Sequence, residues 1–119
     1  DGLLMSDDLS MKALSGSFRD RARALFAAGV DLALHCNGDL AEAREVATEG
    51  IRVNAVRPGI IETEIHASGG QPNRARKLAP TIPVQRPGTA MEVAHSIVWL
   101  LSQEASYTTG AILDVSGGR

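Results

Sequence analysis

The sequence predicts an α/β fold in which about four parallel strands alternate with flanking helices. Short apolar runs that end in polar or glycine-rich segments occur four times along the 119 residues, and segments with apolar residues three or four positions apart lie between them. Strands that alternate with amphipathic helices pair in parallel through right-handed crossovers. The composition agrees, because 44% apolar and 22% charged residues are typical of a globular domain.

The first half of the chain is predicted to contain two strand–helix units. The first strand covers residues 3–5. Ser17, with an acid three residues later, forms a capping box for a helix, and Gly29 ends that helix as a left-handed cap. The second strand covers residues 30–34, and a second capped helix covers residues 39–48.

The second half is predicted to be less regular. A third strand over residues 51–56 is broken by a Pro-Gly pair, and residues 60–88 carry four prolines that allow at most a short helix near residues 73–78. Thr89 and Glu92 cap a longer helix, and a last strand covers residues 112–115. The apolar stripe of the long helix is expected to face a core and consists of Val93, Ala94, Ile97, Val98 and Leu101.

Composition also excludes several function classes. A net charge of −2 gives no electrostatic footprint for nucleic acid or an anionic membrane, and 3% aromatic residues leave few stacking platforms. No apolar run approaches the ~20 residues that span a bilayer. Cys36 is the single cysteine and has no disulfide partner within the chain, which fits a reducing compartment. We therefore expect a soluble cytoplasmic protein, and the start on Asp1 without a methionine suggests a piece of something larger.

The first third of the chain carries a specific pattern. It runs Asp1-Gly-Leu-Leu-Met-Ser-Asp-Asp-Leu-Ser-Met11 and, after a helix, Ala28-Gly-Val-Asp-Leu-Ala-Leu-His-Cys-Asn37. Over residues 1–43 this pattern resembles the end of a family 3 glycoside hydrolase of the β-N-acetylglucosaminidase type. The resemblance implies the last two strands of a TIM barrel, with Asp7 in the position of the catalytic nucleophile.

The remainder carries a different pattern. It contains Glu49-Gly-Ile-Arg-Val-Asn-Ala-Val-Arg-Pro-Gly59, the capped helix and Thr109-Gly-Ala-Ile-Leu-Asp-Val-Ser-Gly-Gly118. Over residues 44–119 this resembles the C-terminal part of a short-chain dehydrogenase/reductase, which implies the last two strands of a Rossmann sheet. The resemblance makes residues 64–88 a mobile substrate loop. It also implies contacts with the nicotinamide end of NAD(P) from Pro58, Gly59, Ile61 and Thr63.

Two resemblances to different folds in one chain predict an artificial recombinant. The junction would lie in the helix near residues 41–47, whose sequence is compatible with either of the two families. We expect one α/β domain, built from residues 1–43 and 44–119, with a layered, Rossmann-like hybrid sheet in the strand order 1-2-3-4. A natural fusion is the alternative.

Neither implied reaction has all its groups in this sequence. Retaining glycoside hydrolysis needs a second carboxyl group near Asp7, and Asp8 as the next strand residue should face the other way. The glycine-rich phosphate loop of a dehydrogenase is absent, and Tyr107 is followed four positions later by Ala111 rather than lysine. We therefore predict a chimeric scaffold that is not an enzyme and has no evolved activity. The alternative is residual NAD(P) binding or a weak β-N-acetylhexosaminidase remnant, with Asp7, Pro58, Gly59, Ile61 and Thr63 as vestigial candidates.

The sequence also leads to expectations about binding partners and about two weaker candidate sites. An open sheet edge with unpaired backbone groups favours self-association, so we expect a homodimer formed by edge pairing or segment exchange. We expect no cofactor, metal, nucleic acid, membrane or small-molecule substrate. His35 and Cys36 allow a thiolate–imidazole pair, although strand neighbours face opposite ways. A locally basic segment that could hold an anion contains Arg74, Arg76, Lys77 and Arg86.

Overall fold

The computed structural model describes residues 2, 4–35 and 39–119 of the chain. It divides into two compact units, Asp1–Val53 and Asn54–Arg119. The predicted pair of His35 with Cys36 falls on a residue outside the described ranges and stays a prediction. No helix in the described part of the chain is long and apolar enough to cross a membrane.

The first unit contains two strand–helix pairs, as the sequence predicts. Its elements are β1 (Met5–Asp8), α1 (Phe18–Ala27), β2 (Leu32–Leu34), α2 (Leu40–Glu45) and a 3-10 helix (Ala47–Glu49). β1 and β2 pair in parallel, with Met5 opposite Leu32. The predicted capping box of α1 is confirmed, because the Ser17 hydroxyl accepts from the Asp20 amide and the Asp20 carboxylate accepts from the Ser17 amide. Gly29, with a φ of 86°, follows the helix in the predicted left-handed conformation.

The core of the first unit is small and apolar. Phe18 and Ala22 lie one turn apart on α1, so both point to the same side of the helix. The buried side chains are Leu9, Phe18, Ala22 and Val46, and partly buried Leu25, Phe26, Ala33, Ile51 and Val53 pack against them. Val46 is fully enclosed, and therefore α2 and its 3-10 extension are held to α1 by apolar burial.

The second unit contains shorter elements around one long helix. Its elements are β3 (Ala55–Pro58), β4 (Ile61–Glu62), α3 (Ile65–Ser68), α4 (Arg74–Leu78), a 3-10 helix (Ala79–Thr81), β5 (Gly88–Thr89), α5 (Ala90–Leu101), a 3-10 helix (Gln103–Ala105) and β6 (Ile112–Val115). β3 pairs with β6 in parallel, and β4 pairs with β5 in parallel. The buried side chains of this unit are Ala75, Ile82, Leu100 and Ala105.

The α/β class with parallel strands is confirmed, but the details of the sheet differ from the prediction. The described strands pair as three two-stranded sheets instead of one hybrid sheet of order 1-2-3-4. The third strand begins at Ala55, four residues later than predicted. Ile51 and Val53 pack against the core of the first unit, and this burial takes the place of strand pairing for that segment. The short β4–β5 pair and α3 have no signal in the sequence pattern because they are only two to four residues long.

The long helix α5 begins at its predicted cap, where the Thr89 hydroxyl accepts from the Glu92 amide. Its predicted buried stripe is only partly correct. Val93 and Ala94 are half-buried, but Ile97, Val98 and Leu101 are 42%, 63% and 49% exposed. The buried side chain is that of Leu100, which the predicted stripe did not include. Because the β3–β6 sheet is only two strands wide, it covers a narrow part of the circumference of α5.

Candidate functional site

The site of the second unit begins where β3 and β6 end. Pro58 lies opposite Val115, and the carboxyl ends of parallel strands meet at one edge, where open α/β sheets bind ligands. The Gly59 amide donates to the Val115 carbonyl at 3.0 Å. A Cβ atom at Gly59 would lie 2.7 Å from the Cα atom of Ser116, so only glycine lets the two chain segments approach this closely.

The loop that follows β3 is fixed on both sides. The Gly88 amide donates to the Ile60 carbonyl at 2.9 Å, as part of the β4–β5 pairing. The His66 Nε2 atom of α3 lies 2.8 Å from the Ile61 carbonyl oxygen. Since a carbonyl oxygen only accepts, Nε2 carries the hydrogen in this contact. The backbone of the loop is therefore held in one position between β5 and α3.

Thr63 stands at the far end of this loop, just before α3. Its side chain is exposed, and its hydroxyl makes no hydrogen bond to any residue in the described part of the chain. A hydroxyl group in this position can donate to or accept from a ligand without first breaking an internal bond.

A cavity of about 250 Å³ opens next to the loop. Its walls come from the loop after β3, the segment before α5 and the turn after β6. The lining residues are Ile60, Ile61, Val84, Arg86, Gly88, Glu92, Val115, Ser116 and Gly117. Of the predicted cofactor contacts, Ile61 lines the cavity, whereas Pro58 is the last residue of β3, Gly59 follows it, and Thr63 lies two residues before α3.

Arg86 and Glu92 are the charged residues that line this cavity, and neither was predicted from the sequence to contact the cofactor. Arg86 Nη2 lies 2.6 Å from Glu92 Oε1, and Arg86 Nη1 lies 3.0 Å from Glu92 Oε2. The guanidinium of Arg86, together with the Thr89 amide, lowers the pKa of Glu92 to about 2. The sequence carries no direct signal for this pair, because Arg86 and Glu92 are six positions apart across the Pro87-Gly88 turn and are not neighbours on one helix.

Two of the four residues in the basic segment predicted to hold an anion are paired internally. Arg86 binds Glu92, and Arg76 Nε lies 2.9 Å from Glu62 Oε1. Both guanidinium groups are exposed and have carboxylate partners, so they offer no free cationic cluster. No group of three or more potential metal-ligating side chains occurs within residues 2, 4–35 and 39–119.

Asp7 lies in the first unit, within β1 rather than in the loop that follows it. It lines a second cavity of about 570 Å³, together with Asp8, Asp20 and Arg21. The Asp7 carboxylate accepts from the Asp8 amide at 2.8 Å. Arg21 donates to the Leu14 carbonyl at 2.7 Å and to the carbonyl of Leu9 at 3.0 Å, so its charge is directed at the loop backbone.

His35 follows β2 and packs against the ring of Phe18, with the ring centroids 4.4 Å apart. Its Nε2 atom lies 3.2 Å from Glu42 Oε2. These contacts explain His35 as a packed histidine that joins β2 to α2.

The comparisons with known proteins agree on one type of enzyme. A family model described as enoyl-(acyl carrier protein) reductase matches residues 40–119. The chain is 60% identical over 75 residues to the uncharacterized oxidoreductase YgfF of Escherichia coli (strain K12), a match that covers 63% of this chain and 30% of that protein. It is 49% identical over 76 residues to a 3-oxoacyl-(acyl-carrier-protein) reductase of Salmonella typhimurium, covering 64% of this chain and 31% of that protein.

A solved structure gives the same result. It is described as a putative oxidoreductase from Escherichia coli str. K-12 and matches with a TM-score of 0.53 and 43% identity. The match covers 66% of this chain and 28% of that chain. The chain thus spans about 30% of the length of the curated relatives.

These findings support the resemblance to a short-chain dehydrogenase/reductase and correct the predicted function. The prediction of a de novo chimera that is not an enzyme and has no evolved activity is wrong, because the matching family and relatives are oxidoreductases. The prediction depended on groups missing from 119 residues, and a chain that spans about 30% of its relatives cannot support that inference. The reported matches give no support to a barrel-derived fragment or to the glycoside hydrolase resemblance of residues 1–43.

Proposed function

Since this chain belongs to the enoyl-(acyl carrier protein) reductase family, we propose that residues 58–63 bind the nicotinamide end of NAD(P) in a short-chain oxidoreductase. The observation that carries the proposal is the position of this loop. It leaves β3 at the carboxyl edge of the parallel β3–β6 pair, where dinucleotides bind in Rossmann sheets. The activity that follows is reversible hydride transfer between NAD(P) and a carbonyl–alcohol pair.

The residues of the loop fit a nicotinamide group. Pro58 and Ile61 offer apolar surface to a flat ring, and the exposed Thr63 hydroxyl can bind the carboxamide. Gly59 keeps the loop against Ser116, which leaves the ligand side of the loop open. When bound, the nicotinamide ring donates or accepts the hydride. The part of this chain is to orient the ring and shield one face of it from water.

Residues 64–88 form the substrate side of the proposed site. They follow the cofactor loop directly and contain α3, α4 and a 3-10 helix. The segment returns to the loop through the bond between the Gly88 amide and the Ile60 carbonyl. A substrate held by this segment would therefore lie beside the ring that exchanges the hydride.

This proposal can be tested by measuring the binding of each half of the dinucleotide separately. Amide NMR spectra of the full chain are recorded during titration with nicotinamide mononucleotide and, separately, with adenosine monophosphate. We expect saturable amide shifts confined to residues 59–63 with the nicotinamide compound only, since Pro58 has no amide proton, and weaker binding in Thr63→Val. Thr109→Val, in the loop before β6, is the matched control. Equal shifts with both compounds, or none in residues 59–63, would refute the proposal.

We also propose that the protein forms homodimers through apolar surface and open sheet edges. Val98 is 63% exposed and Leu101 is 49% exposed on α5, and each sheet formed by the described residues has two strands. Light scattering is expected to give twice the chain mass, and Val98→Glu to lower it. Ile65→Glu, an exposed change on α3, is the control. A single-chain mass for the unmodified protein would contradict the proposal.

We also propose that the protein is located in the cytoplasm. Cell fractionation tests this location.

A further inference from the structure

The cavity of about 250 Å³ beside the cofactor loop is preformed by backbone hydrogen bonds. The Gly59 amide binds the Val115 carbonyl at 3.0 Å, and the Val84 amide binds the Gly117 carbonyl at 3.3 Å. A third bond joins Gly88 to the loop after β3. Three chain segments that are distant in sequence are thus tied together around one space, so the cavity does not depend on side-chain rearrangement.

Two glycines set the size of this cavity. A Cβ atom at Gly88 would lie 2.8 Å from Ile61 Cδ1, and one at Gly117 would lie 2.7 Å from Val84 Cγ2. Both contacted atoms are the ends of side chains that line the cavity. A methyl group added at either glycine therefore forces an apolar side chain that lines the cavity to move, which changes the shape of the cavity.

The walls of the cavity carry no free charge. Its apolar lining comes from Ile60, Ile61, Val84 and Val115. Arg86 and Glu92 also line it, but they hold each other through two hydrogen bonds of 2.6 Å and 3.0 Å. A charged ligand would have to break this pair or enter without a counter-charge, and both alternatives cost binding free energy.

The volume limits the size of the group that fits inside the cavity. An apolar protein cavity of ~150 Å³ holds benzene. A cavity of about 250 Å³ therefore accommodates a six-membered ring with one small substituent.

From these features we infer that the cavity binds a compact, uncharged apolar group. Because Ile61 belongs both to this cavity and to the proposed nicotinamide loop, the bound group is the apolar body of the carbonyl substrate. This identification rests on the proposed function. Binding itself rests only on the walls, the volume and the neutral ion pair.

Two ketones of matched size test the inference on the full chain by amide NMR titration. Methylcyclohexanone is uncharged, and oxocyclohexanecarboxylate carries a carboxylate in place of the methyl group. We expect methylcyclohexanone to shift the signals of Val84, Gly88 and Gly117 and to bind about tenfold more tightly than the carboxylate. Equal affinity for both ketones, or no shift at these residues, would overturn the inference.

Cavity-filling variants provide the second readout. Gly88→Ala is expected to weaken ketone binding about tenfold because the new methyl group displaces the Ile61 side chain from its position in the cavity wall. Gly69→Ala is the matched control, since a Cβ atom there meets nothing closer than 3.4 Å. Val84→Leu fills the same space and replaces Gly88→Ala if that variant does not fold. Unchanged affinity in a folded cavity-filling variant would refute the site.

The ketone-binding experiment and the nicotinamide-binding experiment can fail independently of each other. Ketone binding that fails while nicotinamide mononucleotide binds overturns this inference and leaves the cofactor proposal intact. Ketone binding at Gly88 without nicotinamide binding supports the cavity site and removes its assignment to the carbonyl substrate.

Discussion

Replacing Gly59 with alanine tests whether the close approach of two loops shapes the site. The new Cβ atom would lie 2.7 Å from Ser116 Cα, 2.9 Å from Ser116 Cβ and 3.0 Å from the Ser116 carbonyl oxygen. Two of these atoms belong to the backbone, so no rotation of a side chain relieves the contact. The loops must separate by about 0.7 Å to restore an ordinary contact distance. We expect Gly59→Ala to lower the free energy of unfolding by about 2 kcal/mol, which is typical of overpacking.

Urea denaturation followed by circular dichroism measures this change. With a slope of about 1.5 kcal/mol per molar urea, the midpoint should fall by roughly 1.3 M. Gly69→Ala should change the midpoint by much less. Gly59→Ala combined with Ser116→Gly should recover only part of the loss, because the Ser116 backbone atoms remain. If Gly59→Ala and Gly69→Ala unfold at the same midpoint, the close approach does not stabilise the site and the reasoning fails.

Further predictions concern other contacts. The pKa of Glu92 is lowered from 4.5 to about 2. The pairing of Glu92 with Arg86 therefore stabilises the fold fully at pH values above 4.5, and this stabilisation is lost as the pH falls toward 2. The stability difference between the unmodified chain and Glu92→Gln should shrink over that range in acid titrations. Asn54→Ala removes the bonds of 2.9 Å to the Thr108 carbonyl and 3.1 Å from the Ala111 amide, and should cost about 1–2 kcal/mol in urea denaturation. Val46→Ala leaves a void in the first core and should cost about 2 kcal/mol in the same assay, with Ile65→Ala, at an exposed position outside the proposed dimer surface, as its control. Hydrogen exchange should be faster in residues 64–88 than in α5, and the reverse order would contradict their assignment as a mobile substrate loop.

The parts of the fold that the sequence predicted well are those set by local chemistry. The caps at Ser17, Asp39 and Thr89 each place a side-chain oxygen next to a free amide, and all three begin helices where predicted. The last strand also has its predicted bounds, Ile112–Val115, because its apolar run is closed by a glycine-rich turn on the carboxyl side.

The features that the sequence could not predict depend on contacts between distant residues. Ile51 and Val53 look like the start of a strand, yet they pack against the core around Phe18. The choice between Leu100 and Leu101 as the buried residue of α5 is set by the sheet beneath the helix, and adjacent leucines carry no pattern that decides it.

The candidate site also combines features that the sequence predicts with features that depend on distant contacts. The Pro58-Gly59 break and the capping acid Glu92 could be recognised from the sequence. The cavity could not, because its walls join segments near residues 60, 84 and 116 through backbone bonds. The predicted function failed for a different reason, since it treated groups absent from this chain as absent from the protein.

The contact between Ile61 and the nicotinamide ring is the most direct test of the proposed function. Intermolecular nuclear Overhauser effects are measured between the ring protons of nicotinamide mononucleotide and the methyl groups of the full chain. We expect effects to the Ile61 methyl groups, which are lost in Ile61→Ala. Bound nicotinamide mononucleotide with effects only to methyl groups of residues 1–53 would contradict it.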